Sequence, residues 1–437
     1  MTAPGPSLVR ALGRRDLTLF AVNRVIGAGI FGLPALLYAG VGPWSVAAVV
    51  LAGLVVLGIT LCLAEVGSAF EATGGPYLYA RQTFGPATGF VTGWLMWVTQ
   101  LGGFASVTNL FVNYLAFFAP GVAAGFPRIL IIASVLALLT AVNVAGVRRA
   151  AAVNNVLTLA KLVPLGLFVV VGAFFVEPAL LAPAGPPGTG ALAGAVLLAL
   201  YAVTGFEVLG VPGGEVRDPA RTIPFALLAG LAIVSAVYVG VQLVAVGTLP
   251  GLGESARPLA DAAERTFGRT GALVMVGGAL LSTLGVAHAI VLVAGRMPFA
   301  MAEAGDLPAR IASVHPRFQT PHVGLFVSAA GMLAFTILTN FASAVSITVG
   351  LRVLIYIVTC AVLPALRRAG APAAFRAPAG PALAVACIVT CLGLLASRPR
   401  GDIIQLVVVV VLGLAGWVLV GRRGSSRRDS VDSSSGR

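Results

Sequence analysis

Twelve apolar runs follow one another along this chain with short polar breaks between them. They lie at roughly 17–41, 43–70, 87–118, 128–147, 153–176, 190–211, 223–248, 271–300, 321–339, 344–366, 379–397 and 403–421. About twenty residues of helix cross the hydrocarbon core of a bilayer. Lipid gives backbone N–H and C=O groups no partner, so runs of this kind must satisfy themselves as helices. The expected fold class is an all-α membrane protein with twelve transmembrane helices. Charged residues make up only 10% of the chain, far below the roughly one quarter of a soluble domain. The formal charge of +13 does not point to nucleic acid, because the arginines sit in short clusters between the apolar runs. That pattern reports topology. Cytoplasmic termini place Arg10, Arg14, Arg15, Arg148, Arg149, Arg367 and Arg368 inside, with the larger share of the 28 Lys and Arg. They leave Arg128, Arg257, Arg265, Arg269, Arg398 and Arg400 outside. No small-residue cleavage site ends a short apolar core near Arg10–Arg15, so no signal peptide is read. Cys62, Cys360, Cys387 and Cys391 fall in apolar runs with no metal-ligand spacing and no disulfide framework.

Two of the runs are interrupted. In the first, Gly27, Gly29 and Gly32 precede Pro34. A helix opened there offers carbonyls from its first half and amides from its second, which carry opposite dipole ends. A stripe of small residues that lets an unbroken helix pack closely is the alternative reading. In the sixth run, Thr204-Gly205-Phe206-Glu207 is followed by Gly210, Pro212, Gly213 and Gly214. Each interruption falls in the first span of a group of five. Interrupted spans at matching positions point to a transporter built from two inverted repeats, with its site between the breaks near the midplane. The expected organisation is an N-terminus over 1–16, repeats over 17–176 and 190–366, two peripheral helices over 379–421, and a Ser- and Arg-rich disordered tail over 422–437.

The stretch Ile26-Gly27-Ala28-Gly29-Ile30-Phe31-Gly32-Leu33-Pro34 resembles the first-span motif of the amino acid–polyamine–organocation superfamily of permeases. Glu65 to Phe70, Gly74-Gly75-Pro76-Tyr77-Leu78-Tyr79, Phe84-Gly85-Pro86 and Gly93-Trp94 are similar to its second span, first internal loop and third span. Gly205-Phe206-Glu207 with Glu215-Val216-Arg217-Asp218-Pro219 resembles the sixth span and its exit. Arg296, Ala302 and Gly305-Asp306-Leu307-Pro308 match the end of the eighth. The resemblance implies five plus five helices with discontinuous helices 1 and 6, plus two peripheral helices. It also implies an amino acid substrate held at the breaks. Its carboxylate would meet the amides of Ala28, Gly29 and Ile30. Its ammonium would meet carbonyls near Ile26, Tyr201 and Thr204. Selectivity would come from Tyr201, Phe206, the third span from Gln100 to Ser106, and the eighth near Ile290. Only Glu207 offers a carboxylate to a cationic side chain, which favours a neutral amino acid and leaves a cationic one open.

Lys161 is the single lysine; the other 27 basic residues are arginine. Arginine does not lose its proton in practice, whereas a buried lysine can. Intramembrane lysines mark relays and ligand sites, although a stem this long can also snorkel to the interface. The resemblance adds that some proton-driven members carry a lysine here, where sodium-driven relatives of the same fold hold a sodium ion. Lys161 is therefore expected to dock on carbonyls freed at the first break, and to release them when it deprotonates. Ser282 or Thr283 is the expected partner from the eighth span, with Gly285 and Val286 facing the site by position. Glu207 is read as a proton-sensing residue or, alternatively, a hydrogen-bonded structural acid. Glu65 is expected to pair with Arg81 or Arg296, and Arg24 to line the inner vestibule, with Asp16 or Glu65, or to snorkel inward. Arg352 and His288 read as packing or vestibule residues. No nucleotide-binding motif, metal cluster or nucleophile constellation appears, so neither an enzyme nor a cofactor is expected. The function read from the chain is a plasma-membrane secondary transporter of amino acids coupled to protons. An exchanger without proton movement and a non-transporting membrane sensor are the alternatives.

Overall fold

The computed structural model describes residues 8–432 apart from Ala28, Phe117, Ala123, Ala184, Ala256, Asn340, Ser397 and Pro399. The side chains of Asn113, Pro120, Thr189, Tyr201, 341–343, Val345, Ser346 and 420–432 also lie outside the described set. Helices account for almost all of the regular structure, and the one β contact among the described residues is an isolated parallel bridge between Leu12 and Val216. In chain order the helices are α1 (Arg14–Val25), α2 (Gly29–Val41), α3 (Ser45–Ser68), α4 (Pro76–Phe84), α5 (Pro86–Leu115), α6 (Gly125–Val144), α7 (Val147–Gly172), the short α8 (Pro178–Leu181), α9 (Thr189–Val203), α10 (Pro219–Thr248), α11 (Pro258–Glu303), α12 (His322–Leu338), α13 (Phe341–Arg368), α14 (Gly380–Ala396) and α15 (Arg400–Asp432). Eight stretches are long and apolar enough to cross a membrane, one of them Gly29–Ser68, which joins α2 to α3. Shorter apolar helices lie in α9, α12 and α14. The all-helical membrane class stands on these elements. The last helix runs on to Asp432, past the start of the tail expected from 422.

Several charged and amide side chains are enclosed among the helices while large apolar ones stand exposed, unlike a soluble domain. Lys161, Arg296, Glu215, Gln100 and His288 are fully enclosed. Ile404, Val407, Val411 and Leu412 of α15, and Val156, Val163 and Val170 of α7, stand exposed where hydrocarbon would cover them. At the centre α1 lies against α7, α10 and α11, α2 packs on α9, and α5 runs between α11 and α13. α11 changes direction at Gly268, whose φ of 68° is open to glycine. The segment before it is a separate short helix, and the segment after it is the long buried span.

Small residues set the closest helix contacts, as expected where lipid supplies no hydrophobic drive between helices. At the crossing of α11 and α12, a Cβ added to Gly324 would sit 2.3 Å from the Gly295 carbonyl oxygen. Backbone cannot swing aside as a side chain can. Gly324→Ala is expected to lower the midpoint of thermal unfolding in detergent, by the ~1–3 kcal/mol typical of overpacking. Gly277→Ala, where a Cβ meets nothing within 4 Å, is the matched control and should leave the midpoint unchanged or raised.

Candidate functional site

The first break is as the glycines suggested. Helical bonding in α1 ends with the Ile26 amide on the Val22 carbonyl at 2.9 Å, and Ile26 itself is extended, with φ −72° and ψ 91°. The chain is helical again from Gly29. The interruption strips the carbonyls of Asn23 and Ile26 of their helical donors. Lys161 takes both: its Nζ donates to Asn23 O at 2.8 Å and also to Ile26 O. Ser282 Oγ donates to Ile26 O at 3.1 Å and lies 3.4 Å from Gly27 O. Of the two eighth-span candidates it is Ser282 that reaches the break. Thr283 instead returns its hydroxyl to the Ala279 and Leu280 carbonyls of its own helix.

Lys161 is one member of a polar face. Asn154, Thr158 and Lys161 recur at helical spacing on α7, so all three point the same way. Asn154 Oδ1 accepts from Asn23 Nδ2 at 2.7 Å, and Thr158 Oγ1 donates to the Leu19 carbonyl at 3.2 Å. Asn23 also donates to Gly285 O at 2.8 Å, which ties α1 to α11. The spacing was present in the sequence, but amides and hydroxyls in apolar runs carry little signal without a partner to point at.

The second break begins where α9 ends. Thr204 is extended, and Gly205 has φ 133°, a conformation that side-chain-bearing residues rarely adopt. A tight 3₁₀ turn, Phe206–Gly210, follows. The two breaks touch: a Cβ on Gly205 would meet Arg24 O and Val25 Cγ2 at 3.4 Å, and one on Gly29 would meet Ala202 Cβ at 3.3 Å. α13 holds the second break through residues one helical turn apart. Arg352 Nε lies 2.8 Å from Glu207 Oε1, and its Nη1 donates to Thr204 Oγ1 at 3.1 Å. Tyr356 OH donates to Glu207 Oε2 at 2.7 Å and accepts from the Gly205 amide at 3.3 Å.

Between the breaks lies a cavity of about 70 Å³ whose wall includes Arg24, Gly27, Gly29, Ser106, Thr204 and Arg352. Gly103 and Ile290 also face it, from the two spans expected to carry selectivity. Of the residues expected to hold substrate, Gly29 and Thr204 line the cavity. The Ile26 carbonyl is engaged by Lys161 and Ser282. Ile30 is buried and faces a small apolar void between α2 and α9 instead. Phe206 is buried beneath the second break and is absent from the cavity wall. Tyr201 lies in α9 with its side chain outside the described set, and Ala28 is itself outside it.

Two pairings differ from expectation. Glu65 pairs with neither Arg81 nor Arg296. It takes Arg367 of α13 in a two-pronged contact at 2.7 Å, and also accepts from the Ala377 amide. Arg296 is enclosed with Glu215, and Arg81 meets Asp306 at 3.2 Å, where the buried Tyr77 hydroxyl also donates at 2.7 Å. Burial, helped by that carboxylate, pushes the Tyr77 phenol up, so it stays a donor. Arg24 meets neither Asp16 nor Glu65; its Nη2 donates to Gln100 Oε1 at 2.7 Å. Arg24 has turned along α1 toward α5 and the cavity. The sequence offers Arg352 only as a packing or vestibule residue, marks Gln100 only as the edge of the third-span stretch tied to selectivity, and gives no signal for Tyr356. Their roles come from partners on other helices, 76 to 149 residues away. His288 is buried, with Nε2 2.8 Å from Ala150 O. The Cys62, Cys360 and Cys387 thiols lie within 4.8 Å of one another, a convergence that the sequence spacing does not show.

A helical membrane bundle with two touching helix breaks beside a cavity lined by both polar and apolar side chains defines a membrane transport protein. Comparison with known proteins agrees. A family model described as amino acid permease matches residues 12–392, so the chain belongs to the amino acid permease family within the amino acid–polyamine–organocation superfamily. Three similar proteins come from Bacillus subtilis (strain 168). The methylthioribose transporter is 29% identical, over 96% of this chain and 95% of its own length. The serine/threonine exchanger SteT is 27% identical, over 94% and 95%. The branched-chain amino acid permease BcaP is 26% identical, over 97% and 96%.

Proposed function

We propose that the protein carries an amino acid across the cell membrane by alternating access, driven by a proton moving with it. Membership of a permease family and the substrates named for SteT and BcaP support an amino acid. The methylthioribose transporter is a reminder that side-chain contacts, not the scaffold, set the cargo. The proposed architecture is twelve spans with both termini cytoplasmic: two inverted five-helix repeats over 17–176 and 190–366, and peripheral helices over 379–421.

Proton coupling rests on one observation, the fully buried Lys161 ammonium on the Asn23 and Ile26 carbonyls. No carboxylate lies within ion-pair distance of it among the described residues, and the two groups it meets there are backbone carbonyls. Hydrogen bonds from a charged donor contribute about 1.5–3 kcal/mol, against roughly 1 for a neutral one. Loss of the proton therefore weakens the tie between α7 and the end of α1 by enough to shift a two-state gate about tenfold. The substrate carboxylate is proposed to meet the amides of Ala28, Gly29 and Ile30. The ammonium is proposed to meet carbonyls at Ile26, Tyr201 and Thr204, with Phe206 beneath the site and Glu207 coupled to the second break. Ile26 can serve the ammonium once Lys161 has let go, which links the two events. Two guanidiniums on the cavity wall disfavour a cationic side chain. A neutral amino acid remains the expectation from sequence.

Uptake of labelled amino acids into proteoliposomes, with and without an inside-alkaline pH gradient, tests this. Accumulation above equilibrium only with the gradient is the expected result. Counterflow without any response to the gradient would favour the exchanger.

A further inference from the structure

Two arginines line the cavity and one glutamate stands behind them, so their charges do not balance. Arg352 is matched by Glu207 at 2.8 Å. Arg24 is only 5% exposed, and its one hydrogen bond among the described residues goes to a neutral amide, Gln100 Oε1, at 2.7 Å. Its Nε–H is buried and has no acceptor among the described residues. No carboxylate lies within ion-pair distance of it among the described residues. A guanidinium has five N–H donors and cannot discharge itself by losing a proton. One buried positive charge on this wall is thus left for whatever occupies the cavity.

The alternatives differ in how they leave that charge. A zwitterionic amino acid with an uncharged side chain brings no net charge, and on occlusion leaves Arg24 desolvated without a counter-ion. A cationic side chain adds a second like charge. An amino acid with a carboxylate side chain brings one negative charge, and can accept two parallel N–H bonds from the guanidinium face that Gln100 leaves open. Gln100 also steadies that face, so the receptor is preformed rather than assembled on binding.

We infer that the cavity selects an acidic amino acid, whose side-chain carboxylate is received by Arg24, with Gln100 as its positioning residue. This rests on the proposed amino acid reading and narrows it, since the backbone at the breaks reads what all amino acids share. Arg24 supplies the discrimination.

The test uses two pairs of nearly identical shape, aspartate with asparagine and glutamate with glutamine. The purified full-length protein in detergent is titrated with each, by displacement of the labelled acid or by calorimetry. At least one acid is expected to bind about tenfold tighter than its amide, the difference between a charged and a neutral partner for a buried guanidinium. In Arg24→Gln the acid-to-amide ratio is expected to fall to about one. Amides bound as tightly as acids by the wild-type protein would overturn the inference while leaving an amino acid permease intact. Binding of serine or leucine with no binding of either acid would do the same. Binding of none of these amino acids would overturn the amino acid reading and the inference with it. The wild-type ratio decides the matter even where Arg24→Gln fails to fold.

Discussion

Lys161→Ala is expected to abolish the part of substrate accumulation that an imposed pH gradient drives. The side chain fills a fully enclosed position and donates to two carbonyls that the first break has stripped of helical donors. Alanine removes both the tie and the proton carrier. Gradient-dependent uptake should fall at least about tenfold, the scale of losing one charge-assisted contact from a gate equilibrium. Lys161→Arg separates the two roles. A guanidinium reaches the same carbonyls but keeps its proton, so the gate should hold shut and uptake should fall with or without the gradient. Proteoliposome uptake at matched protein incorporation, with and without the gradient, checks both variants. Undiminished gradient-driven accumulation by Lys161→Ala would end the coupling proposal.

Arg296→Ala is expected to be among the most destabilising single replacements in the chain. Arg296 and Glu215 have no exposed side-chain surface. Two contacts join them, one of them Nη2 to Oε1 at 2.7 Å, and Nη1 also donates to Leu292 O at 2.7 Å. The pair fastens α11 to the loop leaving the second break. That loop in turn holds the N-terminal segment, where the Ala11 and Leu12 amides donate to Glu215 O at 2.9 Å. Removing one partner leaves the other charge buried and unpaired, which costs about 3–5 kcal/mol. Replacing both, as Arg296→Met with Glu215→Leu, should cost less than either single change, because no orphan charge remains. Thermal midpoints in detergent give the ranking. A double variant less stable than both singles would show that the hydrogen bonds outweigh the cost of burying the charges.

Much of this site was written locally. Three glycines before Pro34, and Thr204-Gly205-Phe206-Glu207, each forbid an easy continuous helix, and both breaks formed there. A lone lysine among arginines marked Lys161, and the carbonyls it was expected to find are the ones it holds. Pairings were another matter. Glu65 took Arg367 rather than Arg81 or Arg296, and Arg24 took Gln100. Arg352 and Tyr356 proved to anchor Glu207. A carboxylate in sequence has many arginines within reach, and only the packing of α3 against α13 leaves one at bonding distance.

The sequence by itself determined that the chain is built of apolar helices, where two of them give way, and which lone lysine lies beside the first break. These follow from hydropathy, backbone stereochemistry and side-chain chemistry, which act over a few residues. Only the tertiary structure decided which charge answers which, and that Arg24 faces the cavity with no carboxylate at ion-pair distance among the described residues. The balance of buried charge is a sum over helices far apart in the chain, and it has no value until they are packed.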